Sequence, residues 1–254
     1  MSDNTPQISN DYSLGNSISL GWQILKNNYW PLVWMCFVTM LIMIVGSTIA
    51  SMVPFGDVVF GIFVSTPVII GLTWWVVMVS RGENPSMNKM FAVFSDKYMT
   101  VVGVSFVAML VFYVIFFGAI LIGVAIGGAS FAVIYAASEQ AQAGQFGDIA
   151  WGTMLIPVIS AFVIGSLLGL FLYVRLMWAG LIALDPEENA TSVGECLGRC
   201  WKMTAQSWCS IFFLMLILSI IMMLSFLLIC VGFFLLGLPL YIAAYTGAYI
   251  LLRQ

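Results

Sequence analysis

Histidine is absent from this sequence, and charge of either sign is scarce: 8 lysines and arginines and 11 acids among 254 residues. Without histidine there is no serine–histidine hydrolytic pair and no histidine metal site. Charged residues make up 7% of the chain, against about 25% in a soluble domain, too few to cover a water-exposed globule. The formal charge of −3 is too small to imply a nucleic-acid or polyanion partner. No ten-residue alternating segments of the kind a membrane β-barrel needs are visible. A phosphate-cradling Gly-x-x-x-x-Gly-Lys loop is also missing.

The remaining absences narrow the chemistry further. The first positive charge is Lys26, so the start lacks the basic stretch and short apolar core of a cleavable signal. Insertion is expected to rely on the first crossing itself. Of the five cysteines only Cys196 and Cys200 are close in sequence. With no histidine, a zinc site there would need another cysteine or a carboxylate from elsewhere, so the cysteines read as small packing residues. No metal and no cofactor are expected. Aspartyl proteolysis inside a membrane needs two embedded aspartates, whereas Asp57 and Asp185 fall at opposite faces. The stretch Gly-Ser-Leu-Leu-Gly from Gly165 to Gly169 resembles a nucleophile turn but lacks a base. An enzyme is not expected.

What the chain does have is apolar length. Residues of apolar type make up 62%, and several runs exceed the 18 or so residues that mark a membrane-spanning helix. The predicted fold class is all-α, a polytopic bundle of six transmembrane helices arranged as three hairpins. Trp30–Val53 and Asp57–Ser80 form the first pair. Val101–Ala137 and Trp151–Leu184 form the second. Trp208–Leu252 is long enough for the third, with a turn near Gly232–Pro239 and Pro239 opening the sixth helix. One membrane domain results: a leader over 1–29, hairpins over 30–80, 101–184 and 208–254, and linkers over 81–100 and 185–207.

The charges are distributed unevenly among the loops. Lys26, Arg81, Lys89, Lys97, Arg199, Lys202 and Arg253 fall on one side, and the three opposite loops hold Asp57, Glu139 and Asp148 without any lysine or arginine. Cytoplasmic loops are enriched in Lys and Arg, so both termini are expected in the cytoplasm.

Each positive segment also carries an amphipathic stretch before the next crossing. Spacings of three and four put Leu14, Ile18, Trp22 and Leu25 on one helical stripe, then Met87, Met90, Phe91, Phe94 and Tyr98, then Val193, Cys196, Leu197, Cys200 and Trp201. Asn84-Pro85 supplies an N-cap with a first-turn proline, and Ser192 with Glu195 fits a capping box. Aligning Ser17, Ser86 and Ser192 brings Trp22, Phe91 and Leu197 into register. The predicted unit, used three times, is an amphipathic interfacial helix followed by a membrane hairpin.

The junction RGENPSMNKMFAVFSDKY (81–98) resembles one found in a broad group of bacterial six-helix inner-membrane proteins. These are related to the membrane domain of some glycerophosphodiester phosphodiesterases. VRLMWAGLIALDPEENATSVGECLGRCWKMT (174–204) is similar to that group's second junction, with Gly198 and Cys200 where alanine or serine is usual. The resemblance implies a bacterial inner-membrane location and this architecture; the soluble phosphodiesterase domain has no counterpart here.

One charge interrupts an apolar run: Arg175. Counting from Trp151 places it at the membrane boundary between Tyr173 and Trp178. Counting back from Asp185 at 1.5 Å per residue places it about 15 Å inside. The register of the aligned serines favours the deep position, where an arginine must bond to carbonyls, to a hydroxyl such as Tyr113 or Ser105, or to an anionic ligand. A structural arginine is the favoured reading, and Arg175, Asp185 and Tyr113 are the candidate polar site. Long third and fourth runs suggest tilt or breaks at Gly127-Gly128 and Pro157. Their small-residue stripes, Ala119, Gly123 and Gly127 with Ala161, Gly165 and Gly169, are expected to pack against each other; homodimerisation through them is the alternative. Trp22, Phe91, Phe94, Leu197 and Trp201 form the expected interfacial faces. The expected function is a non-catalytic scaffold, assembly factor or lipid-organising module, with membrane lipid and other membrane proteins as partners. The alternative is a small transporter or channel for a lipid or anionic solute, with Arg175 as counter-charge.

Overall fold

Six apolar helices dominate the chain in the computed structural model, each long enough to cross a membrane: Tyr29–Ala50, Gly56–Ser80, Tyr98–Ser130, Leu155–Leu184, Trp208–Phe226 and Phe233–Arg253. The structure describes residues 12–95, 97–138, 146–188, 190–227 and 232–253, with the backbone alone at 131, 134–138, 146–154 and 227. Glu139, Cys230 and the side chain of Asp148 lie outside the described residues. All regular structure among the described residues is helical.

In chain order the α-helices are α1 (Leu14–Asn27), α2 (Tyr29–Ala50), α3 (Gly56–Phe60), α4 (Thr66–Ser80), α5 (Tyr98–Ser138), α6 (Phe146–Leu176), α7 (Ala179–Leu184), α8 (Val193–Met203), α9 (Trp208–Leu227) and α10 (Leu238–Arg253). Met87–Phe94 is a 3₁₀ helix rather than an α-helix. Two compact units emerge, one holding 1–106 with 175–254 and the other Val107–Val174.

The first unit contains the three amphipathic segments, and each packs along a helix of an even-numbered crossing. α1 lies on α10, the 3₁₀ helix on α4, and α8 on α7. The last two pack on the crossing just before them in sequence, and α1 closes the circle onto the sixth. Small residues make the close approach possible. A Cβ added at Gly21 would lie 2.5 Å from Ala244 Cα, and one at Gly71 would overlap the Met90 carbonyl. A core of Leu25, Leu32, Met35, Leu72, Trp75 and Met90 fills the space between α1, α2, α4 and the 3₁₀ helix.

Helical pitch rotates the amphipathic faces from their expected positions. In α1 the buried residues are Ser17, Leu20, Gly21, Ile24 and Leu25, leaving Trp22 exposed. Along the 3₁₀ segment, residues three apart share a face, so Met90 and Val93 are buried together while Phe91 and Phe94 face outward; Met87, at the start of the segment, is also exposed. α8 turns Cys196 and Cys200 inward, with Leu197 half-buried and Trp201 exposed.

Proline shapes the second and sixth crossings in the same way. Gly61–Ser65 and Phe233–Gly237 are π-helical turns, each followed by a proline at the second residue of the next helix, Pro67 or Pro239. A proline inside a helix removes one N–H and crowds the carbonyl four residues earlier. A wider π turn accommodates both effects. The carbonyl freed by Pro67 is that of Phe63, and it accepts the Tyr98 hydroxyl at 2.8 Å. Pro239 therefore does not open the sixth crossing, which is helical from Phe233.

In the second unit, α5 and α6 pack as a pair through their small residues. A Cβ at Gly123 would overlap Ala161 Cβ, one at Gly165 would lie 2.9 Å from Ala119 Cβ, and one at Gly169 would press on the Phe112 ring. Gly127 is also buried. Breaks expected at Gly127-Gly128 and Pro157 are absent, because α5 and α6 run through both positions. The fourth run instead breaks at Met177-Trp178, between α6 and α7.

Candidate functional site

Each even-numbered crossing of the first unit ends in a charge, and the three charges meet. Arg81 caps α4, Asp185 caps α7 and Arg253 ends α10. A cation at a helix C-terminus is favoured by the helix dipole, whereas an anion there is not. Asp185 is stabilised by its partners instead. Its carboxylate is fully buried and its Oδ2 lies 2.8 Å from both the Arg81 and the Arg253 guanidinium. The Tyr249 hydroxyl donates to the same oxygen at 3.1 Å, and Oδ1 accepts the Glu187 amide at 3.1 Å. Buried charge is tolerated only when paired and hydrogen-bonded in this way.

Pro186 ends the helix after Asp185, and the short 3₁₀ turn Pro186–Glu188 presents two more acids. Glu187 bridges Arg253 at 2.6 Å and Arg81 at 3.6 Å. Glu188 contacts Arg253 Nε at 3.0 Å and Arg199 at 3.1 Å, and its carbonyl accepts from Arg199 as well. Three arginines thus face three carboxylates. Arg81 also stands over the Trp74 ring, 5.3 Å from its centroid.

Arg175 lies elsewhere in this unit, beside α8. It is buried, and its guanidinium stands 4.0 Å from the centre of the Trp201 ring. Because α6 ends one residue later, the Arg175 carbonyl needs an outside donor. The Thr204 hydroxyl at 3.3 Å and the Cys200 thiol at 3.2 Å supply it. Burial pushes the Cys200 thiol up to about 12, so it stays protonated and able to donate. Counting back from Asp185 assumed one straight helix, and the break at Met177-Trp178 removes that assumption. The broken turn is held from α10, where the Tyr245 hydroxyl donates to the Met177 carbonyl at 2.8 Å and its ring packs on Trp178.

The remaining candidates separate. Tyr113 is exposed in the second unit, stacked on Phe117. Ser105 donates to the Val101 carbonyl in its own helix. No group of three metal-ligating side chains occurs among the described residues. The anchored end of α8 carries the capping box: Glu195 accepts from the amides of Thr191 and Ser192, and Ser192 accepts from that of Glu195. These bonds hold the Glu195 carboxyl below its usual range.

In the sequence Arg81 and Arg253 read only as markers of sidedness. A signal for their equivalence was present: Pro67 and Pro239 stand fourteen residues before Arg81 and Arg253 respectively. The π turns occupy the same register. In that register Asp185 replaces the arginine in the second hairpin, and Arg175 falls where the other two have Gly71 and Ala243. No family model, curated protein or solved structure matches this chain.

Proposed function

We propose that this chain is a non-catalytic integral membrane module, a scaffold or lipid-organising protein of a bacterial inner membrane. Its three amphipathic segments form a collar on the cytoplasmic side, in contact with membrane lipid and with other membrane proteins. The observation that carries this reading is that every segment seats one face on an even-numbered crossing and still exposes a large apolar side chain. Trp22 stands among polar residues on α1, Trp201 among polar residues on α8, and Met87, Phe91 and Phe94 lie together on the 3₁₀ helix. An exposed side chain of that kind suits burial at the headgroup boundary. Asymmetry of Lys and Arg among the loops supports the cytoplasmic assignment, and the resemblance of 81–98 and 174–204 to six-helix inner-membrane proteins agrees with it. Arg175 fits a structural role, since its guanidinium covers Trp201 and its carbonyl receives Thr204 and Cys200.

Spin labels placed singly at positions 22, 91 and 201 of the protein in lipid nanodiscs test the collar. Oxygen and a water-soluble nickel chelate should report shallow, interfacial depth at all three. Labels in bulk water would defeat the proposal. Proteoliposomes address transport: scrambling of a fluorescent phosphatidylglycerol should not exceed that of protein-free vesicles. Rapid scrambling abolished by Arg175→Gln would replace the scaffold with a lipid transporter.

A further inference from the structure

Arg81, Glu187, Tyr249, Ile250 and Arg253 line a cavity of about 350 Å³ beside the ion-paired ends of the even-numbered crossings. Asp185 holds both guanidiniums from within, through a side chain that is 0% exposed. On the open side the same two guanidiniums are bridged by Glu187, the most exposed member of the cluster at 64%. Two arginines from different crossings therefore hold one solvated carboxylate between them. Forked guanidiniums recognise phosphate oxygens in the same manner as carboxylate oxygens.

We propose that this cavity is a binding site for a monoanionic phosphate group, either the phosphodiester of an anionic lipid headgroup or free dihydrogen phosphate, with Glu187 as a built-in occupant that the ligand displaces. Charge selects the ligand. With Glu187 turned out into water, Arg81, Arg199 and Arg253 face only Asp185 and Glu188, leaving one positive charge for the incoming anion. Space allows more than the phosphate oxygens, because a water takes about 30 Å³ in the liquid. Attached glycerol or several waters fit with it. Glu187 keeps its backbone anchor on Asp185 when its side chain leaves. The site does not depend on the scaffold reading, since neither Arg175 nor the outer collar faces take part.

The test uses the full-length protein in phosphatidylcholine nanodiscs, titrated with sodium phosphate at constant ionic strength set by sodium chloride, with thermal midpoint as readout. Phosphate should raise the midpoint where chloride does not. Glu187→Gln, an exposed substitution that leaves Asp185 and its partners in place, should bind phosphate about tenfold more tightly by removing the competing charge. Arg81→Lys, which keeps the charge but not the fork, should weaken binding in a protein that still folds. A second arm replaces phosphatidylcholine with phosphatidylglycerol. A raised midpoint that added phosphate no longer increases assigns the headgroup as ligand, and a shift by phosphate alone assigns the soluble ion. The proposal falls if neither phosphate nor phosphatidylglycerol exceeds the chloride control, or if Glu187→Gln leaves affinity unchanged.

Discussion

The carboxylate of Asp185 lies 2.8 Å from the Arg253 guanidinium, joining the end of α7 to the end of α10. Arg81 completes the junction from the end of α4. Asp185→Asn should therefore lower the thermal midpoint sharply, because breaking a buried pair from one side costs about 3–5 kcal/mol. Partial exposure of both arginines places this case toward the low end. Melting curves in detergent measure it against Glu187→Gln, whose exposed carboxylate is expected to be worth about 0–1 kcal/mol. Equal effects from the two substitutions would contradict a keystone role for Asp185.

Gly71 seats the 3₁₀ segment on α4. A Cβ there would overlap the Met90 carbonyl, a backbone atom that cannot swing away. Gly71→Val should displace Met87–Phe94, at about 1–3 kcal/mol for overpacking, and open this segment to limited proteolysis. Gly194, with open space around it, supplies the control: Gly194→Ala should leave the cleavage pattern unchanged.

Glu195 links α8 to pH. Its folded carboxyl sits below the ordinary value of 4.5 because it accepts the Thr191 and Ser192 amides. Stability from the capping box is thus complete above that ordinary value and is lost as pH falls through the lowered folded one. Amide exchange at 193–196 should accelerate on acidification relative to Glu195→Gln compared at each pH. A constant ratio between the two proteins across that range would remove the linkage.

Gly123 and Ala161 meet within one chain. With Cys209 and Cys230 changed to serine, the neighbouring pair Ala119→Cys and Gly165→Cys should cross-link intramolecularly and leave a monomer on a denaturing gel. Their Cβ atoms would stand 2.9 Å apart and need only a small separation of the helices to reach disulfide distance. Cross-linked dimers alone would move this contact to an interface between copies.

By itself the sequence determined that the chain is all-helical, has six helices apolar enough to cross a membrane and three amphipathic stretches, and places lysine and arginine asymmetrically among its loops. Those properties are local: hydropathy over twenty residues, a repeat of three or four, the sign of a loop. Even the capping box at Ser192 and Glu195 is contained in four consecutive residues. Tertiary structure decided which surfaces of those helices meet. The 3₁₀ pitch turned Met90 inward and Phe91 outward, the π turn moved the start of the sixth crossing ahead of Pro239, and the break at Met177-Trp178 set Arg175 beneath Trp201. Only folding placed Arg81, Asp185 and Arg253 within bonding distance, for their pairing depends on three helices ending at one point rather than on any pattern within one of them.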